Sequence, residues 1–192
     1  MPGRAAADGQ TLPLKGEWRF QLDAGDVGVA EKWFSRNLED SVQLPGTTDE
    51  NRKGIQKDEG PTDRLARIWY WKGPAWYQRE VTIPDSWEGK HITLILERSK
   101  NTRLWVDGEF CGWDDTLSAP QIYDLTSLAE PGRHTITLLI DNAKTPPGTL
   151  GILCDPNHPA LARFPTEFHT NWQWWHLVKN SRPIVLDDTE KG

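Results

Sequence analysis

Apolar residues recur at every second position through the middle of this chain, and that spacing admits few folds. In HITLILE (91–97), Ile92, Leu94 and Leu96 share one side of an extended strand. In TRLWVDG (102–108), Leu104 and Val106 face one way, and Arg103, Trp105 and Asp107 face the other. HTITLLID (134–141) repeats the pattern with Ile136, Leu138 and Ile140, while EWRFQL (17–22) and WYQREVTI (76–83) are further strand candidates. Alternation with period two is the mark of a strand with one face in a core and one towards water. Asp107-Gly108 is a strong hairpin turn, because both central positions of a type I′ turn need positive φ. Pro84-Asp85, Pro131-Gly132 and Pro146-Pro147-Gly148 punctuate the remainder. Short strands with frequent turns and little helical periodicity predict an all-β chain, an antiparallel β-sandwich. Its inner faces should hold Phe20, Ile92, Leu94, Leu96, Leu104, Val106, Ile136, Leu138 and Ile140.

The aromatic residues are unevenly chosen: eleven Trp against five Phe and three Tyr. Phe and Tyr would fill a core equally well, so the excess of indole leans towards recognition. The formal charge of −6, with Lys and Arg nowhere clustered, argues against a nucleic-acid surface. Aromatic stacking without a basic groove suits an oligosaccharide or glycan better than single-stranded DNA. No apolar run approaches the roughly 18 residues of a membrane span, so no membrane partner is expected. Cys111 and Cys154 lack any metal-type spacing; either a disulfide or two buried thiols is compatible with them. His158, His169 and His176 do not form a metal-binding spacing, so no metal and no cofactor is expected.

Three stretches divide the chain: a flexible segment 1–13, a sandwich 14–148, and a tail 149–192 packed on the same domain. Residues 46–73 form a long polar loop, expected to be mobile or packed on a partner. In the tail, FHTNWQWWHLVK (168–179) begins with Thr170 and Gln173, spaced as a capping box. The spacing predicts a short helix from Asn171 to about Lys179. Trp174, Leu177 and Val178 would then share an apolar face, with Trp175 at its margin. Trp172 lies about 160° from Trp174 on such a helix. Trp174 is thus expected in the core and Trp172 at a ligand. Two further aromatic groups qualify as sugar contacts. Trp69 and Trp71 project to one face of an extended strand, as a platform for a pyranose ring or a patch for a partner domain. Trp113 with Asp114 and Asp115, on a loop after the Asp107-Gly108 hairpin, either joins an indole to acceptors for sugar hydroxyls or forms a solvated turn.

The blocks GEWRFQLD, VQLPGTTDENRKG, GPAWYQREVTIPDSWEGKHITLILER, NTRLWVDGEFCG, YDLTSL and PGRHTITLLIDN occur in that order. Together, over about residues 14–142, they resemble the N-terminal sugar-binding domain of glycoside hydrolase family 2, the β-galactosidase, β-glucuronidase and β-mannosidase family. The resemblance implies a galactose-binding-like jelly-roll sandwich. It also implies a catalytic barrel domain as partner, since the family carries its two catalytic glutamates there. Glu97, Glu109 and Glu167 are not spaced as a pair that could replace them, and no catalytic residue is assigned. In the family the sugar-binding domain closes with an Asn-Trp pair and a final strand. Thr170-Asn171-Trp172 and Ile184-Val185-Leu186 are similar, which brings Asn171 beside Trp172 as a carbohydrate contact. The expectation is a non-catalytic carbohydrate-binding domain of a family 2 hydrolase acting on plant or host glycans. The alternatives are a glycosidase in its own right and a purely structural docking domain. Structural calcium remains open by analogy with jelly-roll sugar modules. The resemblance suggests a periplasmic or secreted setting, although MPGRAAADGQ has no hydrophobic run of the signal-peptide kind.

Overall fold

The computed structural model describes residues 11–57, 68–97, 99–116, 119–128, 130–143 and, for the main chain, 175–180. Its strands are β1 (Thr11–Pro13), β2 (Gly16–Leu22), β3 (Asp40–Leu44), β4 (Ile55–Gln56), β5 (Trp69–Tyr70) and β6 (Pro74–Ile83). They continue with β7 (His91–Leu96), β8 (Asn101–Val106), β9 (Glu109–Asp114), β10 (Gln121–Asp124), β11 (Gly132–Asp141) and β12 (Trp175–Asn180). One sheet has the order β3-β2-β6-β11-β8-β9 and the other β1-β12-β7-β10, with β4 and β5 forming a separate ribbon. Every pairing is antiparallel. This is an antiparallel jelly-roll sandwich.

The alternation in the sequence is what closes it. Phe20, Ile92, Leu94, Leu96, Leu104, Val106, Ile136, Leu138 and Ile140 are all buried in one cluster between the sheets. Trp18 joins them, and its indole N–H donates to the Leu14 carbonyl at 2.8 Å, so a polar tip is not stranded in the core. The Asp107-Gly108 turn has φ of 51° and 86°, as the hairpin requires.

β6 breaks the alternation, because Ala75, Trp76, Tyr77 and Gln78 are consecutively buried. A second, smaller core explains it. Residues 23–39 fold back over the outer face of the six-stranded sheet, where Trp33, Leu38, Trp76, Trp105 and Leu139 cluster with Phe34. The buried Asp23 carboxylate holds this cover, accepting from Val27 N (2.9 Å), Gly28 N (2.8 Å) and Trp76 Nε1 (3.0 Å). Gln78 ties the other end by donating to the Arg36 carbonyl at 2.9 Å.

Several expectations change. Residues 175–180 are a strand between β1 and β7, not part of a helix. The capping-box spacing is local, whereas two open strand edges supply backbone partners for the whole segment; those non-local bonds prevail. Residues 11–13 are the strand that β12 pairs with on its other side. Ile184-Val185-Leu186, Trp174 and Cys154 lie outside the described residues. Trp113 and Asp114 belong to β9 and not to a loop. The arms of the 46–73 segment are fixed. Thr47 and Glu50 exchange hydrogen bonds (2.7 and 3.0 Å), Asp49 accepts from Trp69 N at 2.7 Å, and β4 pairs with β5.

Candidate functional site

The register of the β8–β9 hairpin decides which side chains meet outside the sandwich. Next to the turn, Val106 pairs with Glu109 and Trp105 with Phe110. A regular ladder would continue with Leu104 opposite Cys111 and Thr102 opposite Trp113. Instead a bulge makes Gly112 the partner of Leu104 and Trp113 the partner of Arg103. One extra residue on one strand moves every later side chain to the other face. Without it Trp113 would point between the sheets, where Thr102 lies. With it, Trp113 stands on the outer face beside Phe110. Gly112 has φ of 133°, a conformation that other residues adopt only with strain.

The result is a groove of about 630 Å³ lined by Val29, Lys32, Phe34, Asn101, Arg103, Trp105, Phe110 and Trp113. That volume is in the range of small-molecule sites. Its aromatic floor is layered. Phe34 stacks on Trp105 with centroids 5.1 Å apart and planes 3° from parallel, and Phe110 leans on Trp105 at 5.4 Å. Behind it Trp105 rests on Trp76 at 5.2 Å. Trp105 is 4 % exposed, whereas Phe110 is 56 % and Trp113 63 % exposed. A rigid floor with two uncovered rings suits stacking on an apolar ligand face. Arg103 and Lys32 bring positive charge, and among the described residues neither has a salt-bridge partner. Glu31, the carboxylate next to Lys32 in sequence, accepts from the Trp33 indole N–H at 2.9 Å.

The other sequence candidates fall elsewhere. Asp114 pairs with Thr102, its carboxylate accepts from Thr116 N at 2.7 Å, and it does not line the groove with Trp113. Trp71 packs partly against the main core, and its indole N–H donates to the Pro74 carbonyl at 3.1 Å. Trp69 is half-buried on the β4–β5 ribbon. Asn171 and Trp172 lie outside the described residues. Sequence reasoning passed over Phe34, Phe110, Arg103 and Lys32. Among the described residues no group of three His, Cys, Asp or Glu side chains is placed to hold a metal ion.

Comparison with known proteins decides the family. The model of the glycosyl hydrolases family 2 sugar binding domain matches residues 12–150. The chain belongs to this family. A second model, of a domain of unknown function, matches residues 134–192. The family 2 domain is 29% identical to a β-glucuronidase of Paenibacillus borealis over 179 residues, 90% of this chain and 28% of the relative. It is 30% identical to the human β-glucuronidase over 202 residues, 92% of this chain and 28% of the relative. It thus spans little more than a quarter of these relatives. Among solved structures, a β-glucuronidase of an uncultured Clostridium sp. superposes with a TM-score of 0.65 at 17% identity, covering 95% of this chain and 30% of that one. A Ruminococcus gnavus β-glucuronidase gives 0.65 at 16% identity, covering 94% and 29%. At such identities the superposition supports the fold alone.

Proposed function

We propose that this family 2 domain is a non-catalytic carbohydrate-binding domain of a longer glycoside hydrolase, and that it contacts plant or host glycans in the groove at Trp113. The observation that carries the proposal is the pair of uncovered rings, Trp113 and Phe110, set beside the buried floor of Trp105. A pyranose presents a face of C–H groups that fits an indole, and Asn101 adds a polar side chain to the lining. The named relatives are β-glucuronidases, which makes hydrolysis of β-glucuronides the reaction proposed for the longer protein. The non-catalytic reading rests on the carboxylates. Retention needs two carboxyls about 5–5.5 Å apart across the scissile bond. Glu97 follows β7 in one sheet, and Glu109 opens β9 in the other.

A glycan array followed by calorimetric titration tests the proposal. Trp113→Ala should abolish saccharide binding and leave the melting temperature nearly unchanged, because the side chain is mostly in water. Unaltered binding by that variant would remove the groove from consideration. A docking role has an observation of its own: Ile55 and Ile68 are 65 % and 59 % exposed on or beside the β4–β5 ribbon. A catalytic barrel covering that ribbon would bury them. Under the docking reading alone, no saccharide on the array would bind.

A further inference from the structure

We infer that the groove prefers a uronate-bearing saccharide to its neutral counterpart, with Arg103 and Lys32 holding the sugar carboxylate while Trp113 and Phe110 hold the ring. This rests on the carbohydrate-binding reading and adds to it the chemical class of ligand.

The argument begins with charge. The chain carries a formal −6 overall, yet among the described residues both charged side chains lining this groove are cations. Arg103 and Lys32 line it from different elements, a strand and the cover segment. Arg103 is half-buried, and the outer-face neighbour across the hairpin is Trp113. Elsewhere in the described structure basic groups close to carboxylates are paired with them, as Arg19 is with Glu80 at 2.8 Å and Lys53 with Asp40 at 2.5 Å. The carboxylate nearest to Lys32 in sequence, Glu31, is engaged by Trp33, and Glu109 pairs across the hairpin with Val106, on the strand after Trp105. Among the described residues the groove therefore supplies guanidinium and ammonium donors and is lined by no anion.

Geometry then narrows the anion. A guanidinium fork matches a planar carboxylate through two parallel N–H···O bonds. Arg103 and Trp113 face each other across one strand spacing, so an anion on Arg103 and a ring over Trp113 are about one sugar unit apart. A hexuronate carries its carboxylate on the ring itself, which satisfies both contacts with a single residue. A neutral hexose would leave the two cations to water.

The test titrates the full chain with methyl β-D-glucuronide and methyl β-D-glucoside, which differ only at C6, using saturation-transfer NMR and calorimetry. The glucuronide should bind tighter by about tenfold, as a charge-assisted hydrogen bond implies, and the advantage should shrink as salt is added. Arg103→Gln should remove that advantage and retain weak binding of both sugars. Lys32→Gln, at an exposed position, should reduce it without any risk to folding. Trp113→Ala should abolish binding of both sugars together. Equal binding of the two sugars, or an advantage unchanged in both charge variants, overturns the preference while the carbohydrate-binding reading stands. Absence of binding by either sugar, with none on a wider array, overturns both.

Discussion

Cys111, the extra residue of the β9 bulge, packs partly against the main core, and its thiol donates to the Glu109 carbonyl at 3.3 Å. Burial is the chief reason its pKa rises to about 11, with Glu109 and Asp107 adding in the same direction. A free thiol titrates near 8.5. Raising the folded pKa favours the folded state fully at pH below the unfolded value, and that advantage is lost as pH climbs through the folded one. In a Cys154→Ser background, alkylation of Cys111 by iodoacetamide at pH 8 should be much slower in folded than in urea-unfolded protein. The folded rate should climb steeply only on approaching pH 11. Equal rates at pH 8 would contradict the burial. Much at this scale was legible beforehand. Alternation alone named nine core residues from Phe20 to Ile140, and it placed Arg103 and Trp105 on the outer face. A two-residue turn at Asp107-Gly108 already implies that Trp105 meets Phe110, a signal that was available and unused. The partnership of Arg103 with Trp113 was not legible, since no local residue preference announces a bulge.

Among the elements, the hairpin depends on Gly112. Its φ of 133° belongs to a region costing other residues about 1–3 kcal/mol. A Cβ there would meet the Tyr123 ring at 3.7 Å, an ordinary contact, so the penalty is conformational and not steric. Gly112→Ala should lower stability by about 1–3 kcal/mol in urea titration; a variant as stable as the parent would show that the bulge is built otherwise. The segment 175–180 illustrates the opposite limit of sequence reading. Trp-His-Leu-Val-Lys-Asn fits a helical face as well as an alternating strand, because short apolar runs do not distinguish the two periods. What decides is register against β7, Trp175 with Leu96 through Asn180 with His91, and those partners are far away in sequence. The cover segment 23–39 was equally hidden: its shape comes from Asp23 and Gln78 bonding backbone groups, not from any repeat.

For the molecule as a whole, that cover couples stability to binding, since one stretch both roofs Trp76 and Trp105 and supplies Val29, Lys32 and Phe34 to the groove. Asp23→Ala would leave three donors without their acceptor, each worth about 1–3 kcal/mol when buried. A lower urea midpoint and weaker saccharide binding should appear together; loss of stability with binding intact would separate the cover from the site. The four-stranded sheet has a different consequence, concerning the order of events while the chain is being made. Every strand of the six-stranded sheet lies between residues 16 and 141, so that sheet can close early. The other cannot: Thr11 sits beside Val178, and β12 fills the place between β1 and β7. Residues leave the ribosome at about 5–20 per second, first end first. For the seconds before residues 175–180 emerge, β1 lacks its β12 neighbour, and so does the edge of β7 that β12 will cover. A nascent chain of this protein therefore carries a slot for its own residues 175–180, and chaperones or stray strands have that interval in which to find it.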